Sequence, residues 1–270
     1  MNFLRRPNVD EGSISEALAK LGLDGTQHAI AHSSLRAFGY VEGGPEALIS
    51  ALRARLATLV TPAFSYYTLL SGPGSRPGIR FGRESRVSPD IGRIPQTLVE
   101  TPEVERSFHP ALSFVAVGER AHEILTAQTL DCPYGPIGAL YDLNGFALLV
   151  GVDHRSNTSV HYGEYLAGVP LLDRYVFVDG AVRRTAFPNC SADFERISRE
   201  VTGRHAQVGK ATISAYPVRD LVDATVALLR RDPEALLCTY PGCRCQEVRR
   251  RIREGGLHPR EHQHLAVGQA

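Results

Sequence analysis

His161 and Glu164 stand three residues apart in Asn157-Thr158-Ser159-Val160-His161-Tyr162-Gly163-Glu164. On a helix that spacing puts both side chains on one face. A carboxylate beside an imidazole orients the ring and raises its proton affinity, which suits a general base near neutral pH. If the helix starts at Thr158, then Thr158, His161 and Glu164 fall at i, i+3 and i+6, with Asn157 and Thr158 both good caps. Spacing alone is weak support for that role and favours a structural histidine or a surface i,i+3 pair.

Two further clusters offer groups of the kind that hold anions and amides. In His32-Ser33-Ser34-Leu35-Arg36, just after a short apolar run, hydroxyls and successive N–H groups could cradle a phosphate or a pantetheine amide. In Arg106-Ser107-Phe108-His109-Pro110, Arg106 could hold a phosphate or carboxylate, and Ser107 and His109 could hydrogen-bond a ligand. Taken singly, each also reads as a polar loop or a Pro-stabilised turn. The thiols make a third cluster. Cys238, Cys243 and Cys245 form C-x4-C-x-C, with Cys190 available as a fourth ligand. Four thiolates make a closed, structural zinc site that would staple the C-terminal segment without taking part in chemistry. The C-x-C step is tighter than the usual C-x2-C, so buried free thiols remain the other reading, and His262 and His264 are alternative ligands.

These residues need elements to position them. Strand-like and helix-like stretches alternate, which favours α/β. Residues 29–31 read as a strand, and Pro45 opens a helix carrying Leu48, Ile49, Leu52 and Leu56. Strands follow at 59–64 and 112–117, with a helix at 119–128. The most apolar run, 146–152, reads as a central strand that ends beside Gly151. The helix carrying His161 therefore opens where open α/β sheets place their ligands. Later helices are expected at 192–201, 220–231 and 245–254. Residues 71–93, rich in Gly, Pro, Ser and Arg, form a loop long enough to suggest a functional role.

The chain has 270 residues and a formal charge of +1, so bulk electrostatics point to neither a nucleic-acid nor a membrane-surface partner. Arg249-Arg250-Arg251 with Arg253 reads as a solvated helix face. Residues 1–7 show no apolar leader core, and no apolar run nears the roughly 20 residues of a membrane helix. The cytoplasm, where thiols stay reduced, is the expected compartment.

Seven motifs occurring in order carry a resemblance. They are His32-Ser33-Ser34-Leu35 through Gly39; Gly44 and its helix; Leu59-Val60-Thr61-Pro62-Ala63-Phe64; Gly92-Arg93-Ile94-Pro95; Arg106-Ser107-Phe108-His109-Pro110; Gly135 with Leu140-Tyr141; and Leu148-Leu149-Val150-Gly151-Val152 through Glu164. Asp193-Phe194 and Val208-Gly209-Lys210-Ala211 extend it. In these the sequence resembles the aminoglycoside 3-N-acetyltransferase (antibiotic acetyltransferase) family.

The resemblance implies a three-layer α/β/α fold with a central mixed sheet, one domain over residues 1–270 with a Cys-rich subregion at 186–256. It implies acetyl-CoA as cosubstrate, a primary amine of an amino sugar, aminoglycoside or related molecule as acceptor, and direct transfer in a ternary complex. It places His32, Ser33, Ser34 and Leu35 against the pantetheine and pyrophosphate, with Arg106, Ser107 and His109 also on the CoA side. It makes His161 the base, supported by Glu164, with Thr158 and Asn157 at the reaction centre. The chemistry agrees, because a protonated amine needs a base before it attacks and a thioester needs only an oxyanion donor, which N–H groups at a helix start can supply.

The sequence also departs from that family. Enzymes that bind polycations are usually acidic, whereas this chain has a pI near 7.7. Its 71–93 loop carries Arg76, Arg80, Arg83, Arg86 and Arg93 against Glu84 and Asp90. Gln96 stands where the family often has Glu, and Gly138-Ala139 replaces a usual Ser-Pro pair. A biosynthetic amine or amino sugar is thus expected as readily as an antibiotic. Two other readings are a family member turned to another acyl transfer or other acyl chemistry in secondary metabolism, and a zinc-stapled binding protein without turnover. The presence of both His161 and Glu164 argues against the second. The oligomeric state is left open, a homodimer included.

Overall fold

A computed structural model describes residues 9–76, 79–188, 190–262 and 264–265. Residues 1–7, read above for a leader, lie outside them. Chain order gives α1 (Glu11–Lys20), β1 (His28–Ser33), α2 (Leu35–Phe38), α3 (Gly44–Ala54), β2 (Thr58–Pro62), α4 (Arg93–Val99), β3 (Glu105–Arg106) and β4 (Phe114–Gly118). There follow α5 (Ala121–Thr126), α6 (Gly135–Asp142), β5 (Phe146–Val150), α7 (Ser159–Ala167), β6 (Leu172–Val178) and β7 (Ala181–Phe187). The chain continues through β8 (Arg204–Val208), β9 (Ala211–Pro217), α8 (Val218–Arg231) and α9 (Cys245–Gly255).

Seven strands form one sheet in the order β3-β4-β2-β1-β5-β9-β8, and β6 and β7 pair as a separate hairpin. The sheet is mixed. β1 runs parallel to β2 and β5, while the other pairs are antiparallel. Ser33 lies opposite Val150, so β1 and β5 finish side by side. Alternate residues of a strand face opposite sides, and here both sides are covered. Ala29, Ala31, Leu148 and Val150 join a core with Leu18 of α1 and Leu48 of α3. Ile30, Ala147 and Leu149 join another with Leu140 of α6, Tyr162 of α7 and Leu221 of α8. Burial on both faces explains why the 146–150 run is apolar throughout. This is the expected α/β/α layering. A third core joins Phe194, Leu229, Leu236, Val248, Cys238 and Cys245.

Two glycines let the elements approach one another. Gly151 has φ +71°, and a Cβ there would sit 2.6 Å from Ala37 Cβ and 3.1 Å from the Ser34 carbonyl oxygen. Only glycine lets the end of β5 meet the β1–α2 turn, where the Ser34 N–H donates to the Val150 carbonyl at 2.9 Å. At Gly138 a Cβ would lie 2.5 Å from Tyr162 Oη. The departure from a Ser-Pro pair is thus matched by a tyrosine on α7.

The helix expected at 192–201 is a 3-10 turn, Phe194–Arg199. In the basic run of α9, Arg250, Arg251 and Arg253 pair with Glu247, Glu254 and Glu234 on a solvated face, whereas Arg249 turns inward, bound to Glu234 and to the carbonyls of Leu237 and Cys238. No helix among the described residues is long and apolar enough to cross a membrane.

Candidate active site

The ends of β1, β2 and β5, the start of α7, the approach to α4 and the β6–β7 hairpin enclose a cavity of about 1000 Å3. That volume suits a large ligand or two smaller ones. On its wall lie His32, Ser33, Ser34, Leu35, Asn157, Thr158 and His161, seven of the side chains anticipated from sequence.

His161 Nδ1 donates to Glu164 Oε2 at 2.7 Å, with both side chains buried. Nδ1 is thereby engaged, leaving Nε2 as the nitrogen that can take a proton. The ring stacks on Tyr134, centroids 5.1 Å apart, and meets Phe194 edge-on at 4.6 Å. Burial pushes the Glu164 carboxyl above its ordinary pKa, and the His161 hydrogen bond opposes that rise. The pair is therefore held in one orientation by two aromatic rings and one charge-assisted hydrogen bond.

His32 fixes where α7 begins. Its Nε2 accepts from the Thr158 N–H at 3.0 Å and lies 2.8 Å from the Thr158 hydroxyl. Burial, with His154 close by, pulls the His32 pKa down to about 3, so the ring is neutral. Asn157 Oδ1 accepts from the Ser159 N–H at 3.1 Å, and its Nδ2 donates to His154 Nδ1 at 3.2 Å. One expectation fails at this point. The N–H groups of Thr158, Ser159, Val160 and His161 are all engaged within the protein, so the start of α7 has no spare oxyanion donor there. The Ser33 hydroxyl, in contrast, is buried with no partner among the described residues. His154, which the sequence did not single out, is buried against Tyr216 with its rings 4.7 Å apart.

Arg106, Ser107 and His109 were expected on the CoA side, and none of them lines the cavity. Arg106 donates to Ser113 Oγ, Ser65 Oγ and the carbonyls of Ala63, Arg83 and Ser85, and it lies 4.8 Å over the Phe81 ring. Its donor fork is filled by the protein, which leaves no edge for a phosphate. Ser107 Oγ accepts from the Phe114 N–H at 2.8 Å. His109 Nδ1 accepts from the N–H groups of Ala111 and Leu112, and its Nε2 donates to Thr185 Oγ1 at 3.0 Å. All three tie loops to the sheet. Likewise, of the five arginines in the 71–93 loop, Arg93 is the one on the cavity wall. Arg83 is bound to the carbonyls of Thr101, Pro102 and Val104, and Arg80 lies 5.9 Å over Phe177.

The cysteines do converge. Cys190 Sγ lies 3.2 Å from Cys245, 3.5 Å from Cys243 and 3.6 Å from Cys238, and the four sulfurs are all within 4.8 Å of one another. A tetrahedral zinc with Zn–S bonds of about 2.3 Å needs sulfurs about 3.8 Å apart, so the donor set and its spread fit the metal. Cys190 and Ser191 also line the cavity. His262 and His264, held open above as alternative ligands, sit elsewhere. Both contact Asp142 Oδ1, at 2.7 and 3.1 Å, and His262 also meets the Tyr162 hydroxyl.

The family model described as aminoglycoside 3-N-acetyltransferase matches residues 30–230. The chain belongs to this family. Aminoglycoside N(3)-acetyltransferase IV from a Salmonella species is 32% identical over 232 residues, spanning 80% of this chain and 85% of that one. Aminoglycoside N(3)-acetyltransferase VII from Streptomyces paromomycinus is 30% identical over 261 residues, spanning 81% and 91%. The crystal structure of the aminoglycoside acetyltransferase AAC(3)-IVa apoenzyme superposes with a TM-score of 0.78 at 29% identity, covering 92% of this chain and 99% of that one. The activity class of this acetyltransferase is N-acetyl transfer. The family match takes in the whole cavity wall from Ala31 to Ser191 but stops short of Cys238, Cys243 and Cys245.

Proposed function

We propose that this acetyltransferase moves the acetyl group of acetyl-CoA onto a primary amine of an amino sugar, aminoglycoside or related small molecule, directly and within a ternary complex. The observation that carries the reading is the buried 2.7 Å pair of His161 and Glu164 on the wall of a cavity of about 1000 Å3.

His161 Nε2 takes a proton from the acceptor ammonium or from the attacking amine, and the Glu164 carboxylate stabilises the imidazolium that results. The amine nitrogen bonds to the thioester carbonyl carbon. As the C–S bond breaks, the sulfur leaves as thiolate and receives its proton back from His161. Thr158 and Asn157 keep the start of α7, and with it His161, in register with β1. The rim formed by Ser33, Ser34, Leu35 and Gly92 suits the pantetheine and pyrophosphate. Arg36 and Arg93 stand exposed there, without an ion pair among the described residues.

We also read the four cysteines as a structural zinc site. It ties α9 and residues 238–245 to the loop carrying Cys190, and so holds one wall of the cavity. Reduced thiols and a CoA cosubstrate both point to the cytoplasm.

The test is release of free CoA thiol from acetyl-CoA in the presence of a panel of amines. The reading requires acceptor-dependent release that His161→Ala abolishes. Thiol release that survives His161→Ala with a good acceptor overturns the assigned base.

A further inference from the structure

Asp142 is the last residue of α6, at the helix end where the carbonyl groups carry partial negative charge and favour a cation. Its carboxylate is the meeting point of three groups from much later in the sequence. His262 Nε2 lies 2.7 Å from Oδ1, and His264 Nδ1 lies 3.1 Å from the same oxygen. The Leu265 N–H donates to the other oxygen, Oδ2, at 2.8 Å. The two imidazole rings meet edge-on with centroids 4.4 Å apart. The chain leading to them is already laid along α7. The N–H groups of His258 and Arg260 donate to the carbonyls of Gly168 and Leu166 at 3.0 Å each, and Arg260 Nη1 donates to the Tyr165 carbonyl at 2.8 Å.

Two imidazole nitrogens and a carboxylate oxygen, all within 4.8 Å of one another, make a donor set for a borderline dication such as Zn2+ or Ni2+. With bonds of about 2.0–2.2 Å, such an ion needs ligand atoms about 3.0–3.4 Å apart, so the contacts to Oδ1 open by less than about 1 Å to admit it. A ligating imidazole also needs a partner for its second nitrogen. His262 has one, because its Nδ1 lies 2.7 Å from the hydroxyl of the buried Tyr162. A hydroxyl can donate or accept. It donates to Nδ1 when Nε2 carries the ring proton, and it accepts from Nδ1–H when Nε2 holds a metal. Asp142 and His262 are 17% and 14% exposed, whereas His264 is 78% exposed, which gives the ion an entry and leaves water positions on that side.

We propose that Asp142, His262 and His264 form a second metal site, which binds Zn2+ or Ni2+ through Asp142 Oδ1, His262 Nε2 and His264 Nδ1, with Tyr162 as the outer partner. It shares no ligand with the four cysteines. The ion fastens the segment carrying the two histidines across α6 and α7, the helix that bears His161. Three ligands, one of them exposed, hold an ion less firmly than four thiolates, so this site exchanges with solution and is emptied during purification.

Calorimetric titration of Ni2+ into the purified full-length protein, its zinc content already measured, tests the site. Ni2+ should bind one per chain through these residues and raise the melting temperature, and Mg2+ should do neither. Tyr162→Phe, which removes the outer partner and keeps every ligand, should weaken Ni2+ by about tenfold or more. His264→Gln, at an exposed position, and Asp142→Asn should weaken it further and abolish the thermal shift, with the zinc content as purified unchanged. Co2+ bound here should give visible absorption without a sulfur-to-metal charge-transfer band, which separates it from any ion on the cysteines. The proposal is overturned if the parent binds no Ni2+ outside the cysteines, or if His264→Gln and Asp142→Asn bind it as tightly as the parent does. It is also overturned if Tyr162→Phe leaves the affinity unchanged, since the histidines are then an ordinary surface chelate, or if Mg2+ competes on equal terms. Because the variants spare all four cysteines, failure of the zinc reading there leaves this result intact.

Discussion

Glu164→Gln is the sharpest test of the proton relay, because it keeps the shape of the side chain and removes its charge. In the parent protein the carboxylate meets Nδ1 of His161 at 2.7 Å, and the two side chains are 3% and 8% exposed. When Nε2 takes the amine proton, an imidazolium forms beside that carboxylate. With charge centres about 4 Å apart and an effective dielectric constant near 20, the attraction is worth about 4 kcal/mol. Losing it should slow the chemical step by about 10^3-fold. The substituted amide offers two arrangements, and both are damaging. If its oxygen accepts from Nδ1–H the tautomer survives and the charge is lost. If its NH2 group donates to Nδ1, the proton moves to Nε2 and the base is blocked. Single-turnover thiol release at saturating acetyl-CoA reads the step directly, with a melting curve to show that the variant is folded. The KM for acetyl-CoA should stay within about twofold, because Glu164 is not on the cavity wall. A folded Glu164→Gln variant retaining kcat within about tenfold of the parent would refute the argument that His161 works through this carboxylate.

Acid should weaken the fold through two buried, neutral histidines. Burial pulls His32 to about 3 and His109 to about 4, from an ordinary 6.5, so the unfolded chain binds protons that the native state refuses. Their stabilising contribution is complete above pH 6.5 and is lost as pH falls toward those values, by about 2 kcal/mol each at pH 5. Urea melts at pH 8 and pH 5 should show that loss, with His109→Gln removing about half of it; unchanged stability at pH 5 would contradict the neutral assignment. Protein purified without chelator should carry one zinc per chain, and Cys243→Ser should lower both the metal content and the melting temperature. Less than about half an equivalent of zinc would rule the four-cysteine site out. Arg106→Met should destabilise the protein by on the order of 3 kcal/mol, by leaving buried carbonyls unpaired, with little effect on the KM for acetyl-CoA. A large rise in that KM in a fully stable variant would return Arg106 to the CoA side.

Apolar periodicity made the parallel heart of the sheet legible, since strands buried on both faces read as unbroken runs. The dyad was legible too, because an i,i+3 pair on a helix needs no long-range information. What stayed hidden depended on partners far away in the chain. α6 begins Gly135-Pro136-Ile137-Gly138, a poor helix former by propensity, yet its first six residues are all buried. β8 is a polar edge strand, Arg204–Val208, and gives no alternation to read. Charge at the site shows the limit most clearly. The 71–93 loop holds five arginines in sequence, but one of them reaches the cavity wall. The other three arginines there come from α2, from the turn before α7 and from the hairpin. A net charge of +1 says nothing about such a field, because its sign is set by which elements converge.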